Sequence, residues 1–277
     1  MKFLIVLVLT LATVANAARL ETIFKPAFSS GRIINGQAAA KGDAPYIVSL
    51  QTTGLFGGHF CAGSLISPNL VLTAAHCLIY KSFNVVAGLH IRSDKSDVQV
   101  RQVTSARQYR QHEQYSGGVG PNDIGLIHIP QAFILSDLKA ASAPVATISL
   151  PSGKYAQTGR GKLYGWGRDE SGTSPQMLQT LDADIIGYSQ CKAELPASAP
   201  LTQASNICSH TAGKTDGACN GDSGGPLIIN TKSGAELVGI VSWGYTPCHS
   251  STYPSVYTMV SGFQQWIENT SAILTGA

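Results

Sequence analysis

Residues 219–227 read CNGDSGGPL: a single serine, Ser223, stands among three glycines and a proline, with Asp222 immediately before it. Glycine opens backbone conformations closed to other residues, and a carboxylate buried among so little side chain needs a partner. A glycine-rich turn alone would require neither the Ser223 hydroxyl nor the acid. The combination points to chemistry at the serine. A serine hydroxyl is a weak nucleophile at neutral pH unless a base takes its proton, and a histidine base needs a third group to fix its tautomer.

Two residues elsewhere have the right chemistry. His76 lies in LTAAHC, straight after an apolar run and beside Cys77, and Asp123 lies in NDIGLI, at the start of another. Each also has a plain structural reading, His76 as a packed histidine at a strand end and Asp123 as a turn or cap residue. The chain around them consists of short β-rich runs separated by glycine, proline and polar turns, among them YIVSL, NLVLTAA, FNVVAG, DVQVRQV, IGLIHI, GKLYGWG, LDADII, PLII, ELVGIVSW and SVYTM. Many short strands at this spacing predict an antiparallel barrel or sandwich. An internal boundary is expected at residues 139–160, rich in small and polar residues and interrupted by Pro144 and Pro151. Near the end, Val260, Phe263 and Ile267 recur at helical spacing with Trp266 alongside, which predicts a terminal amphipathic helix.

Of the 277 residues 44% are hydrophobic and 13% charged, enough apolar material for a sizeable core. Lys2, the apolar run FLIVLVLTLATV and the small residues Ala15 and Ala17 read as a secretory signal over residues 1–17. That run is shorter than the roughly 18–20 apolar residues of a spanning helix. Secretion makes the six cysteines, Cys61, Cys77, Cys191, Cys208, Cys219 and Cys248, better suited to three disulfides than to a metal site, and no Cys-x-x-Cys pair is present. Four of the nineteen basic and one of the sixteen acidic side chains fall in the first 32 residues, so the rest of the chain carries fifteen of each. That balance gives no reason to expect nucleic acid or an anionic membrane as a partner.

The order His76, Asp123, Ser223, in TAAHC, NDIGLI and GDSGGP, closely resembles the chymotrypsin-like serine peptidases, from Ile33 to the terminal helix. The resemblance implies an all-β fold of two packed antiparallel six-stranded β-barrels with a short C-terminal α-helix. It implies His76, Asp123 and Ser223 as the catalytic triad, and the N–H groups of Gly221 and Ser223 as the oxyanion hole. It also implies activation by cleavage between Arg32 and Ile33, with the new ammonium of Ile33 paired to Asp222, so that residues 18–32 form a propeptide and 33–277 the peptidase domain. Family pairing would join Cys61 to Cys77, Cys191 to Cys208, and Cys219 to Cys248. His59 matches a family histidine that is structural or involved in the zymogen and is not assigned to catalysis.

In this family specificity depends on the residue six before the nucleophile, here Gly217, with Asp216 one position away. Ser242, Trp243 and Gly244 resemble the strand that pairs with substrate, and Ser255 stands on the opposite wall. A neutral pocket predicts cleavage after Phe, Tyr, Leu or Met, with elastase- or collagenase-like specificity as the alternative. No cofactor or metal is expected, since Leu89 stands where trypsins begin their calcium loop and Asp94 and Asp97 read as solvated loop charges. Expected partners are protein or peptide substrates, a trypsin-like activating peptidase and protein inhibitors, with the enzyme a secreted monomer. RIINGQAAAKGDAPYIVSLQ resembles arthropod digestive peptidases and implies work in a gut lumen. The competing class is a secreted binding or lectin-like protein on the peptidase fold. Asn269-Thr270-Ser271 is an N-glycosylation sequon inside the predicted helix.

Overall fold

The β-rich runs pair both as consecutive hairpins, such as those meeting at Ser67↔Leu70 and Thr231↔Gly234, and with strands far along the chain. The computed structural model describes residues 33–54, 57–136, 142–153, 158–169, 171–248 and 252–276. The expected signal segment 1–17 and propeptide 18–32, including Arg32, lie outside these residues.

After β1 (Gln37–Ala38), one antiparallel sheet is built from β2 (Ile47–Thr52), β3 (His59–Ser67), β4 (Leu70–Thr73), β5 (Phe83–Ala87), β6 (Gln99–Val103), β7 (Tyr109–Gln111) and β8 (Gly125–His128). Their hydrogen-bonded order is β6-β5-β2-β3-β4-β8-β7. The second sheet comprises β9 (Gly159–Gly165), β10 (Gln179–Ile186), β11 (Asn206–Ser209), β12 (Pro226–Thr231), β13 (Gly234–Trp243) and β14 (Ser255–Met259), ordered β10-β11-β14-β13-β12-β9. Because β9 also pairs with β10, these six strands close into a barrel, with β1 added along β10. The all-β fold is therefore one closed six-stranded barrel and one curled sheet whose end strands, β6 and β7, share no ladder among the described residues.

Irregular register bends both sheets. Shifts occur at Leu50/Gln51, Leu65/Ser67, Leu227/Ile228 and Val241/Trp243, where an extra residue increases local twist. Inward side chains such as Val48, Leu50, Phe83, Val85 and Leu126 form a core that continues into Tyr164, Trp166, Ile228, Leu237 and Ile240 of the second half. A separate cluster fills the closed barrel and includes Ile33, Leu163, Leu227, Val241 and Tyr257.

Between β8 and β9 the chain crosses from one sheet to the other. Ile148 N–H donates to Leu65 O on β3 at 2.9 Å, and Leu237 N–H of β13 donates to Ser149 O at 2.9 Å. Residues 139–141 and 154–157 of the expected boundary lie outside the described residues. The chain forms a short helix α1 (Tyr188–Glu194) and ends in a 3₁₀ turn, Val260–Phe263, running into α2 (Gln264–Thr275). Val260, Phe263 and Ile267 are buried on one stripe. The helix covers the first sheet: the His112 ring lies 5.2 Å from both Phe263 and Trp266, and Trp266 Nε1 donates to Glu113 Oε2 at 2.9 Å.

Candidate active site

Both ends of the buried acid are held. β4 runs into a 3₁₀ turn, Ala75–Cys77, which presents His76 at the edge of the first sheet. Its backbone N–H donates to Asp123 Oδ1 at 2.9 Å and its Nδ1 lies 2.8 Å from Asp123 Oδ2. Asp123 is buried and precedes β8, following Asn122 in a left-handed conformation at φ 62°. Ser242 Oγ donates to Asp123 Oδ2 at 2.6 Å, and Thr258 Oγ1 donates to the Asp123 carbonyl at 2.7 Å. The His76 backbone N–H, the His76 ring and the Ser242 hydroxyl all meet this one carboxylate, which only accepts, so the hydrogen of the His76 ring sits on Nδ1. Nε2 is thereby left as the basic nitrogen.

The serine turn is fixed from both sheets. Ala62 N–H on β3 donates to Ser223 O at 2.8 Å, and Gly224 N–H donates to Val241 O at 2.9 Å. Gly221 and Gly224 adopt φ of 102° and 76°, conformations that a side chain would strain. The N–H groups of Gly221 and Ser223 find no acceptor among the described residues. Between them Asp222 is fully buried, its Oδ1 accepting from Gly167 N–H at 2.7 Å and its Oδ2 from Cys219 N–H at 2.9 Å. Burial pushes this carboxyl up to about 7, against the pull of the two backbone donors. Among the described residues it has no cationic partner.

His59, set aside at the sequence level, belongs to this turn. Gln51 Nε2 donates to Ser49 Oγ at 3.0 Å, Ser49 Oγ lies 2.8 Å from His59 Nδ1, and His59 Nε2 lies 2.8 Å from Gly221 O. A carbonyl accepts only, so Nε2 carries the proton and Nδ1 accepts from the serine. Burial depresses the imidazole to about 4, outweighing the Gly221 carbonyl, which favours its protonated form. Sequence reasoning missed Ser49 and Gln51; the available signal was a polar residue within the apolar run YIVSL.

Beside Ser223 lies a cavity of about 180 Å³, lined by Ala218, Ser242, Trp243, Gly244, Thr246 and the Cys219–Cys248 pair among others, none of them charged. The structure brings Gly217 and Ser255 together next to it. Gly217 has φ 152°, and a Cβ there would lie 2.5 Å from Ser255 Oγ. Ser255 Oγ accepts from Ala218 N–H at 3.1 Å, and the buried Tyr257 hydroxyl lies 2.8 Å from Ser209 Oγ. Asp216 faces a different cavity.

The disulfides join Cys61 to Cys77, Cys191 to Cys208 and Cys219 to Cys248. The grouping of Cys61, His76 and Cys77 offers no thiolate to a metal, because both sulfurs are bonded to each other. Leu89 is buried, while Asp94 is exposed and bonds Ser96 within its own turn. Ile33 is buried in the closed barrel's core. Asn269 is exposed on α2, and Thr270 of the same sequon is buried.

Comparison with known proteins places this arrangement. The family model described as Trypsin matches residues 33–267. The chain is similar to Lectizyme of Glossina austeni, 58% identical over 270 residues and covering 97% of each chain. It is also similar to Trypsin delta of Drosophila melanogaster, 37% identical over 240 residues (86% of this chain, 87% of that one). Trypsin of Xenopus laevis is 38% identical over 253 residues, or 89% of this chain and 93% of the other.

Proposed function

Because the chain belongs to the trypsin family of serine endopeptidases, we propose that it hydrolyses protein substrates through His76, Asp123 and Ser223. The observation that carries this assignment is the His76 imidazole held at Nδ1 by the buried Asp123 carboxylate, at 2.8 Å. His76 Nε2 takes the Ser223 proton as Oγ attacks the scissile carbonyl. The N–H groups of Gly221 and Ser223 receive the negative charge that develops on its oxygen. His76 then gives its proton to the leaving amine, and water repeats the sequence in reverse on the acyl-enzyme. Ser242 holds Asp123 in position, and the Gln51–Ser49–His59 relay fixes the carbonyl side of Gly221.

The cavity beside Ser223 supports cleavage after Phe, Tyr, Leu or Met. Its lining is uncharged, Gly217 brings no carboxylate, and Asp216 faces elsewhere. Ser242, Trp243 and Gly244 form the wall and mouth of this pocket, with Gly217 and Ser255 behind it. The enzyme is made as a secreted precursor, cleaved after Arg32 by a trypsin-like peptidase, and the Ile33 ammonium then neutralises Asp222. Work in a gut lumen follows the similarity to insect relatives. A second reading, a binding activity on the same fold, is favoured by one observation, the name Lectizyme borne by the 58%-identical relative.

Matched peptides with Phe, Leu, Ala or Arg before the scissile bond test both readings, after cleavage at Arg32 and with a Ser223→Ala control. Faster turnover of Phe or Leu, lost in the control, is expected. Preference for Arg would overturn the pocket assignment. No turnover despite a verified Ile33 terminus would favour the binding protein.

A further inference from the structure

The segment that follows Ile33 runs between the closed barrel and the loop that leads to the pocket. β1 pairs with β10 through Gln37↔Thr180, and Ile34 forms an isolated bridge with Gly217, whose N–H points to Ile34 O at 3.4 Å. Between these two attachments lies a polar cavity of about 310 Å³. Asn35 and Gln37 line one side and Thr180 and Asp182 another, with Lys214 and Asp216 on the third. Asp216 directly precedes Gly217, so this cavity and the specificity pocket lie against the same short stretch of backbone.

The charges around the cavity are not all accounted for. Arg160 pairs with Asp184 at 2.7 Å and Lys162 with Asp182 at 3.6 Å. Lys214 and Asp216 have no ion-pair partner among the described residues, and the Asp216 side chain is half-buried. A half-buried carboxylate two residues from a free ammonium, in a polar recess, offers one positive and one negative contact to a single guest. The volume is at the low end of small-molecule pockets, which run from about 300 to 1,000 Å³. Asn35, Gln37 and Thr211 supply neutral donors and acceptors around the pair.

We propose that this cavity binds a small zwitterion, a free α-amino acid or a short peptide, with its ammonium on Asp216 and its carboxylate on Lys214. Such a guest bridges Asn35–Gln37 to Lys214–Asp216 and so fastens the segment behind Ile33 to the backbone of the pocket. Occupancy and ordering of the pocket favour each other by linkage. This coupling rests on the peptidase reading of the pocket, whereas the binding itself does not. The end products of protein hydrolysis have this chemistry, so the site reports the accumulation of product.

Calorimetry on Ser223→Ala protein cleaved after Arg32 measures binding independently of turnover. L-alanine and L-alanyl-L-alanine distinguish the free amino acid from the peptide, and methylammonium and acetate test each charge alone. Saturable binding of at least one zwitterion is expected, weakened about tenfold or more by Asp216→Asn and by Lys214→Gln, with neither single ion binding comparably. No heat from either zwitterion, or binding indifferent to both substitutions, overturns the site. In the active enzyme the bound zwitterion lowers KM for a peptide substrate, and Asp216→Asn abolishes the effect. An unchanged KM overturns the coupling, as does a rise that persists in Asp216→Asn, since that is product inhibition at the pocket beside Ser223.

Discussion

At Gly217 a methyl group would sit 2.5 Å from Ser255 Oγ, and the backbone φ of 152° is itself unfavourable for a side chain. An aspartate at this position therefore meets both a close contact and backbone strain. Gly217→Asp alone is expected to lower stability by about 1–3 kcal/mol through overpacking and to gain little cleavage after Arg. With Ser255→Gly added, the contact is relieved while the backbone strain stays, and cleavage after Arg rises relative to Phe. Thermal melts and kcat/KM for the two substrates check this, and efficient Arg cleavage by the single variant would disprove the steric argument. The buried titratable pair nearby gives a second prediction, for the chain uncleaved at Arg32. Asp222 is raised from 3.8 to about 7, so the folded state keeps a proton that the unfolded state has lost. Its contribution is fully present below about 4 and is lost as pH rises through about 7. His59 is lowered from 6.5 to about 4, so its contribution is present above 6.5 and is lost as pH falls through about 4. The two slopes oppose each other between about 4 and 6.5. Unfolding free energies from urea titrations across that range should fall with rising pH in His59→Gln and rise with it in Asp222→Asn, by at most about 1.4 kcal/mol per pH unit. Parallel slopes in the two variants would refute the assignment.

Among the elements, the 3₁₀ turn Ala75–Cys77 is the least able to hold itself, being three residues long with no side-chain cap. Cys61–Cys77 ties it to β3 across 16 residues of sequence, and a loop near that length stabilises by about 3 kcal/mol. Replacing both cysteines by alanine should cost about that much in urea unfolding and should lower kcat more than it raises KM, since His76 loses its support and the pocket does not. A KM effect alone would show that the turn is held by Asp123 instead. The same elements show what could be read in advance. Runs such as FNVVAG and IGLIHI were legible because β-branched and aliphatic residues dominate them, and α2 was legible from the spacing of Val260, Phe263 and Ile267. β3, HFCAGSLIS, was not, because small and polar residues hide a strand whose buried positions are set by β2 and β4 on either side. β7 and α1 are too short to show a period. The closure of β9 on β10 and the relay from Ser49 through His59 to Gly221 depend on residues more than a hundred positions apart or on pairings with no local signature. The triad motifs were readable as sequence, whereas the second hydroxyl on Asp123, from Ser242, required the fold.

In the molecule as a whole, the proposed chemistry straddles two sheets: His76 and Asp123 come from the first, Ser223 and Ser242 from the second. Bonds that cross between the halves hold the two sides together, from Ala62 N–H to Ser223 O, from His59 to Gly221 O, and from Ser242 to Asp123. The core does the same, since Tyr164, Trp166, Leu237 and Ile240 of the second half belong to the cluster that fills the first sheet. The terminal helix adds a third tie, for the chain leaves β14 of the barrel and closes over the first sheet through Phe263, Trp266 and Ile267. Neither half can unfold without exposing apolar surface that the other covers, so the shared core couples their unfolding. Urea unfolding of the Ser223→Ala protein, which avoids self-digestion, should therefore give one transition. Trp266 fluorescence in a variant retaining only that tryptophan reports the helix and first sheet, and a variant retaining only Trp243 reports the barrel. Coincident midpoints are the expected result. Midpoints that separate would mean that the shared core couples the halves too weakly to set a common stability, and the serine and histidine would then part before either sheet is lost.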